Sequence, residues 1–395
     1  MIFHYLLRHL GPVNALLAAS AFAAWASGIT LLILHRGRYP SLDRVDLSQS
    51  EMANLPPLSI LVPACDEEAT IERAMRSLID LDYPGYEIVA VNDRSTDSTG
   101  SILEAMARDC PRLKVIHIDH LPSGWLGKNH ALHVASQHAS GDWLLFTDAD
   151  VIHNADTLSR AVAWARKRSL GHLVLCPRVE THGFWEKLFV SYFGLMFSFR
   201  VRPWAVPDAS KSAYIGVGAF NLVRADAYRS FGGHTALPME VCDDTKLGKL
   251  IKQHGFQQQV LNGPGLLSVR WVVGLRGAID GLSKNAFAGF EFRPTEMLAS
   301  VGCLAVSGVY PVIALATHSN AIRLLGLASL LLMVVGGACM RRIADARLWI
   351  GAAYPLAALL LIFIILRSTY RVYQCGGIVW RGTHYALDEL RRGVV

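Results

Sequence analysis

The chain has 395 residues, 52% of them hydrophobic and only 18% charged, with a net charge of +6 at pH 7 and a mean hydropathy of +0.30. Soluble domains carry about a quarter charged residues, so this balance excludes a wholly water-soluble protein and a disordered one. The positive surplus forms no dense Lys/Arg stripe, which argues against a nucleic-acid partner and suits an anionic membrane face. The 7 cysteines are scattered without CxxC or zinc spacing, so reduced thiols are expected rather than a disulfide framework or a structural zinc site.

The first element is an apolar run from Asn14 to Leu34 with no charge, long enough for a bilayer core of about 30 Å. Ala24-Trp25-Ala26 resembles a signal-peptidase site, but the run continues to Leu34 and ends in His35-Arg36-Gly37-Arg38. A secretory signal is shorter and carries its charge in front. Residues 1–38 are therefore read as a transmembrane anchor and polar residues 39–57 as a linker. The Arg-rich flank places the chain beyond it in the cytosol.

From residue 58 the pattern is that of an α/β domain. Leu58–Pro63, Glu87–Val91, Lys114–Ile118 and Trp143–Thr147 are short apolar runs, and Ile71, Met75, Leu78 and Ile79 recur at helical spacing. Alternation of this kind predicts a doubly wound, mostly parallel sheet with right-handed crossovers. The stretch Gly183–Trp204, rich in Phe and Trp, is either a buried core helix or an interfacial one, and residues 270–292 invite the same two readings. The domain is taken to end at 297. Three more apolar runs (298–317, 324–340, 348–366) make a transmembrane region over 298–366, before a basic tail, 367–395. Three complete crossings would put that Arg-rich tail outside, so one run is expected to be re-entrant or interfacial.

The polar residues cluster at strand ends, where ligands bind in such sheets: Cys65-Asp66-Glu67-Glu68, Asn92-Asp93-Arg94-Ser95 and Asp148-Ala149-Asp150. Two carboxylates two residues apart on an extended segment face one side. With a diphosphate they can hold Mg²⁺ or Mn²⁺; alternatively each is a turn or helix-capping residue. No glycine-rich dinucleotide loop or P-loop accompanies them.

Val62-Pro63-Ala64-Cys65-Asp66-Glu67-Glu68, Val91-Asn92-Asp93-Arg94-Ser95-Thr96-Asp97 and Thr147-Asp148-Ala149-Asp150 together resemble a family 2 glycosyltransferase with a GT-A fold. Gly124-Trp125-Leu126-Gly127-Lys128-Asn129 and the terminal Trp380-Arg381-Gly382-Thr383-His384-Tyr385 resemble its membrane-anchored branch, which includes hopanoid-associated and ceramide glucosyltransferase-like enzymes. The resemblance implies that Ala64, Glu67 and Asp93 hold a uridine-like nucleoside and that Lys128 and Asp148 lie near ribose and diphosphate. It implies that Asp150, with Asp148, binds the metal. Asp243-Asp244 matches the family's acidic pair, with Asp244 as general base; read alone, both could cap a helix. Arg270-Trp271 keeps the end of a Gln-x-x-Arg-Trp motif, Arg for the diphosphate and Trp for the acceptor, but Leu267 stands where Gln would be. The implied reaction is an inverting transfer of one sugar from a nucleotide-diphosphate donor to a membrane-lipid hydroxyl, at a bacterial inner membrane. A non-catalytic sugar-nucleotide-binding subunit and a processive polysaccharide synthase are the alternatives. The terminal Trp380–Tyr385 motif receives no chemical role.

Overall fold

The structure, a computed structural model, describes residues 11–52 and 54–395. Strand β1 (Leu58–Ala64) is buried along its length apart from half-buried Pro63, as befits a run with helices over both faces. It pairs in parallel with β2 (Tyr86–Asp93) and β4 (Trp143–Phe146), and β2 pairs in parallel with β3 (Leu113–Ile118). Helices α2 (Ile71–Ile79), α3 (Thr99–Asp109) and α4 (Gly127–Gln137) alternate with these strands. The expected parallel half of the sheet is borne out.

The other half is mixed. The full order is β3-β2-β1-β4-β8-β6-β9, adding β6 (His172–Cys176), β8 (Asn221–Arg224) and β9 (Gln258–Asn262). Strand β8 runs antiparallel to both β4 and β6, whereas β6 and β9 are parallel. A separate small sheet joins β5 (Val151–His153), β10 (Leu267–Val269) and β7 (Arg178–Val179). Helix α5 (Thr157–Lys167) lies between β5 and β6 in the chain, and α7 (Asp243–Gln253) precedes β9.

The core explains how the helix starts are placed. Ala131, Leu132 and Ala135 of α4 and Leu247, Leu250 and Ile251 of α7 share one buried cluster with Leu61, Val89, Val91, Leu144 and Phe146 of the sheet. Each fully buried leucine contributes roughly 1.5–3 kcal/mol. Both helices are thereby fixed on one face of the sheet.

A polar rung crosses the mixed half. His172 Nε2 donates to Asn221 Oδ1 (3.1 Å), and Gln258 Nε2 donates to His172 Nδ1 (2.6 Å), so one ring joins β6 to β8 and β9. Burial pushes this imidazole down to about 4, and protonation would turn the Gln258 acceptor into a second donor. The unfolded chain takes up a proton below about 6.5 while the folded chain does not. Stability is thus full above pH 6.5 and falls as the pH drops toward 4, by about 3 kcal/mol from this residue. Thermal unfolding of the detergent-solubilised protein should show that decline, and His172→Gln should make it shallower; an equally steep decline in the variant would contradict the assignment.

The described residues form two units that interleave in sequence: 11–37, 180–200 and 271–378, and 38–52, 54–179, 201–270 and 379–395. The first unit is helical. Among the described residues, four of its helices are long and apolar enough to cross a membrane: α1 (Gly11–Leu34), α9 (Pro294–Ala314), α10 (Asn320–Cys339) and α11 (Leu348–Cys375). Trp25, within the cleavage-like tripeptide, is 2% exposed and donates to the Ser307 carbonyl at 2.9 Å. Tyr310 donates to Asn14 Oδ1 at 2.9 Å. Such contacts pack α1 against the other helices of this unit. Helix α6 (Gly183–Val201) buries Leu188, Phe189, Val190, Tyr192 and Leu195 and exposes Phe184 and Trp185. Helix α8 (Gly274–Ser283) buries Ala278 and Leu282. None of the seven cysteines is in a disulfide.

The second unit holds residues 201–270 and the tail 379–395, which flank the three C-terminal apolar helices in sequence.

Candidate active site

Three backbone segments meet where the sheet's carboxyl ends face the starts of α4 and α7. Asp148 follows β4, Lys128 is the second residue of α4, and Asp243 and Asp244 open α7. Lys128 Nζ lies 2.8 Å from Asp148 Oδ1 and 3.8 Å from Asp243 Oδ1. Gly218 joins the two acidic segments: its N–H donates to Asp244 Oδ2 (2.8 Å), while its carbonyl accepts the Asp148 N–H (3.0 Å). A Cβ at this position would overlap the Asp148 carboxylate, so only glycine lets the chain pass between them. One cavity is lined by Lys128, Asp148, Gly218, His234, Asp243 and Asp244.

The acidic pair is not a simple helix cap. The residue flanking α7 is Cys242, which makes no side-chain cap. Asp244 Oδ1 does accept the Thr245 N–H (2.7 Å), a first-turn contact that the helix dipole favours. Its other oxygen is held by Gly218, 26 residues away, which aims the carboxylate at the cavity.

Charge is unevenly compensated here. Burial alone would lower the Lys128 ammonium, but Asp148, Asp243 and Asp244 outweigh it and hold the group firmly protonated. Burial pushes Asp244 up against the opposing pull of Lys128, toward the range useful to a general base. Asp150 is pushed up to about 7, first by burial, then by Asp148 and Glu67. A site with this much negative charge gathered out of water favours cationic company.

Among the described residues no three His, Cys, Asp or Glu side chains converge as a ready-made metal site. Asp148 and Asp150 nonetheless supply two hard oxygen donors, and the strain on Asp150 is one that a hard divalent cation would relieve. The residues fit a cation whose remaining ligands are diphosphate oxygens and water.

The loops after β1 and β2 are laced together. The Asp66, Glu67 and Glu68 N–H groups donate to Ser95 Oγ (3.0 Å), Thr99 Oγ1 (2.7 Å) and Asp97 Oδ2 (3.0 Å). Asp66 Oδ1 accepts the Thr96 N–H in return (2.8 Å). Ala64 closes β1 and is buried; Asp93 closes β2, 3% exposed, with Arg94 on both its oxygens (2.7 and 3.0 Å). Gly127 packs so tightly on the Asp93 carboxylate that a Cβ would reach 2.5 Å from it. The expected nucleoside residues are therefore bound into one rim with the start of α4.

Arg270 follows β10 and is exposed. Trp271 belongs to the helical unit, where its ring centroid lies 5.0 Å from Phe193 and 6.4 Å from Phe189. Two further residues line the cavity. Gly218 lies in Gly216-Val217-Gly218-Ala219-Phe220-Asn221, which reads in sequence as a tight strand passage beside the sugar, and His234 reads as an ordinary polar histidine without ligand spacing. His234 Nδ1 pairs with the Tyr228 hydroxyl (2.7 Å), while its buried Nε2 has no hydrogen-bond partner among the described residues.

Residues 59–226 match the family described as Glycosyl transferase family 2. The 4,4'-diaponeurosporenoate glycosyltransferase of Staphylococcus aureus (strain bovine RF122 / ET3-1) is 22% identical over 340 residues, covering 84% of this chain and 89% of that protein. Its counterpart from strain USA300 is 21% identical with the same coverage. Among solved structures, the mannosyltransferase PcManGT from Pyrobaculum calidifontis, in complex with GDP-Man and Mn²⁺, aligns with a TM-score of 0.53 at 20% identity. That alignment covers 89% of this chain and 99% of the other, and it shows that the two share a fold. The matched segment begins inside β1 and ends just past β8, enclosing Asp93, Lys128, Asp148 and Asp150 on a GT-A sheet, and it is this segment that is similar to the family 2 glycosyltransferases.

Proposed function

We propose that the protein transfers a single sugar, with inversion, from a nucleotide-diphosphate donor, a UDP-sugar, to a hydroxyl of a membrane lipid, with the sheet unit in the cytosol of a bacterial inner membrane. The observation that carries this reading is the single cavity lined by Lys128, Asp148 and Asp244. Inversion needs a carboxylate that takes the acceptor proton on the face opposite the leaving diphosphate. Asp244, raised by burial and held by Gly218, is the group suited to it. Asp243 stays within reach of Lys128 and offsets its charge when no diphosphate is present.

Ala64, Glu67 and Asp93 form the nucleoside rim, and Lys128 meets the diphosphate beside Asp148. Asp150, with Asp148, would hold Mg²⁺ or Mn²⁺, which neutralises charge developing on the leaving diphosphate. Arg270 serves the diphosphate and Trp271 the acceptor in this reading. A lipid acceptor is supported by the four membrane-length helices and by the acceptor in the name of the Staphylococcus aureus relatives. The solved mannosyltransferase, bound to GDP-Man and Mn²⁺, supports metal use with a nucleotide sugar.

Mass spectrometry of lipids from cells with and without the protein tests the reading. One new lipid, heavier by a single sugar residue, is expected. A long polymer would favour a polysaccharide synthase, and unchanged lipids would remove the lipid acceptor.

A further inference from the structure

The geometry points to the segment 379–395 as a component of the donor site, with Tyr385 and Arg381 as its positioning residues. This deepens the proposed function and rests on it. The segment holds the end of β11 (Gly377–Trp380), β12 (Thr383–Ala386) and α12 (Leu387–Arg392), and it includes the Trp380–Tyr385 motif left without a role by the sequence.

Its contacts fall on the elements that carry the site. Tyr385 is 6% exposed, and its phenolic oxygen accepts the Gly127 N–H at 3.3 Å. Helix α4 starts at Gly127 with no side-chain cap from Leu126. The first N–H groups of a helix have no partner within it, so Tyr385 satisfies an orphan donor one residue before Lys128. Arg381 Nη1 donates to the Asp66 carbonyl at 3.3 Å, and Nη2 pairs with the Glu67 carboxylate. Left-handed backbone at Arg381 (φ +48°) and Gly382 (φ +75°) makes the turn that delivers the guanidinium there.

The far end of the segment reaches α7. Leu387 and Leu390 are buried, Lys249 Nζ donates to the Val395 carbonyl (2.7 Å), and the Val395 N–H donates to Glu240 Oε2 (3.2 Å). The Glu240 carbonyl in turn accepts Asn129 Nδ2 at 2.9 Å, next to Lys128 in the chain. One strap thus touches the Glu67 loop, the residue before Lys128 and the helix that begins with Asp243 and Asp244. A strap whose only work was stability would have no reason to end on these three points. The donor site is complete only when the chain has returned from the last membrane-length helix and docked.

The test uses the full-length protein in detergent, UDP with MnCl₂ as the calorimetric probe, and amide hydrogen exchange over residues 124–130. Tyr385→Phe removes one oxygen and keeps the ring. It should weaken UDP about tenfold and speed exchange at the start of α4, while the unpaired Gly127 N–H lowers the melting temperature by only a few degrees. Arg381→Ala should also weaken UDP, and Arg381→Lys should recover part of the loss. Unchanged UDP affinity in both Tyr385→Phe and Arg381→Ala, beside a wild type that binds UDP, overturns the positioning role while leaving the donor reading intact. Faster exchange with unchanged affinity overturns it equally, because the contact is then structural. A wild type that binds no UDP overturns the uridine donor reading itself, and the strap's role with it.

Discussion

Asp244→Asn is expected to lower turnover about 10³-fold, the usual worth of a positioned general base, and to leave UDP affinity within about threefold of wild type. The asparagine carbonyl can still accept from Gly218 or Thr245, which now hold the carboxylate at 2.8 and 2.7 Å. The local backbone should therefore survive the change. What is lost is the ability to take a proton from an acceptor hydroxyl. Single-turnover transfer assays together with calorimetry separate the two effects. Turnover near wild type would remove Asp244 as the base; loss of UDP binding in parallel would make it a donor ligand instead. A protein that binds sugar nucleotides without turning them over would show no kinetic change at this position.

Lys128→Met is expected to weaken UDP by about 30-fold or more. Truncating one partner of a buried, hydrogen-bonded charge pair costs about 2–5 kcal/mol in measured complexes; Lys128 and Asp148 are 22% and 38% exposed, so the low end applies, and each 1.4 kcal/mol is about tenfold. The ammonium sits 2.8 Å from Asp148 and 3.8 Å from Asp243, so it is the cation nearest the place assigned to the diphosphate. Methionine keeps much of the stem's volume, and the core of α4 rests on Ala131, Leu132 and Ala135 rather than on residue 128. The loss should therefore appear in affinity more than in folding. An affinity within threefold of wild type, with an unchanged melting temperature, would show that Lys128 only offsets the aspartates.

Much of this is legible in the chain. Strands β1, β2 and β4 of the parallel half announce themselves because they are buried on both faces and read as mostly apolar runs with carboxylates following their ends, whereas the edge strand β3 keeps Lys114 and His117 exposed and is marked only by Val115, Ile116 and Ile118. The mixed half is not legible. Strand β8 is four residues, Asn221–Arg224, and begins with an asparagine bonded to His172; nothing in its pattern separates it from a loop. β6 and β9 carry His172 and Gln258 toward the same rung, so polar residues interrupt the periodicity that would have revealed them.

Residue roles divide in the same way. Asp148 and Asp244 stand out because paired carboxylates with that spacing have a chemistry of their own. Gly218, which sits between them, does not, because its function is the absence of a side chain where Asp148 needs room. The parity problem in the membrane region is also visible in sequence, since an Arg-rich tail sits badly beyond three complete crossings. The contacts that dock the tail on the sheet unit, Arg381 to Glu67 and Tyr385 to Gly127, span more than 250 residues of chain. No local pattern encodes such pairs.

The central claim, that these aspartates cradle a cation-bridged diphosphate, is tested most directly by titrating UDP into wild-type protein and Asp150→Ala, each with MnCl₂ and with EDTA. Wild type should lose at least tenfold in affinity when the metal is removed, and Asp150→Ala should bind with the same weak affinity in both conditions. Equal wild-type affinity with and without manganese, or a manganese response that persists in Asp150→Ala, would contradict it.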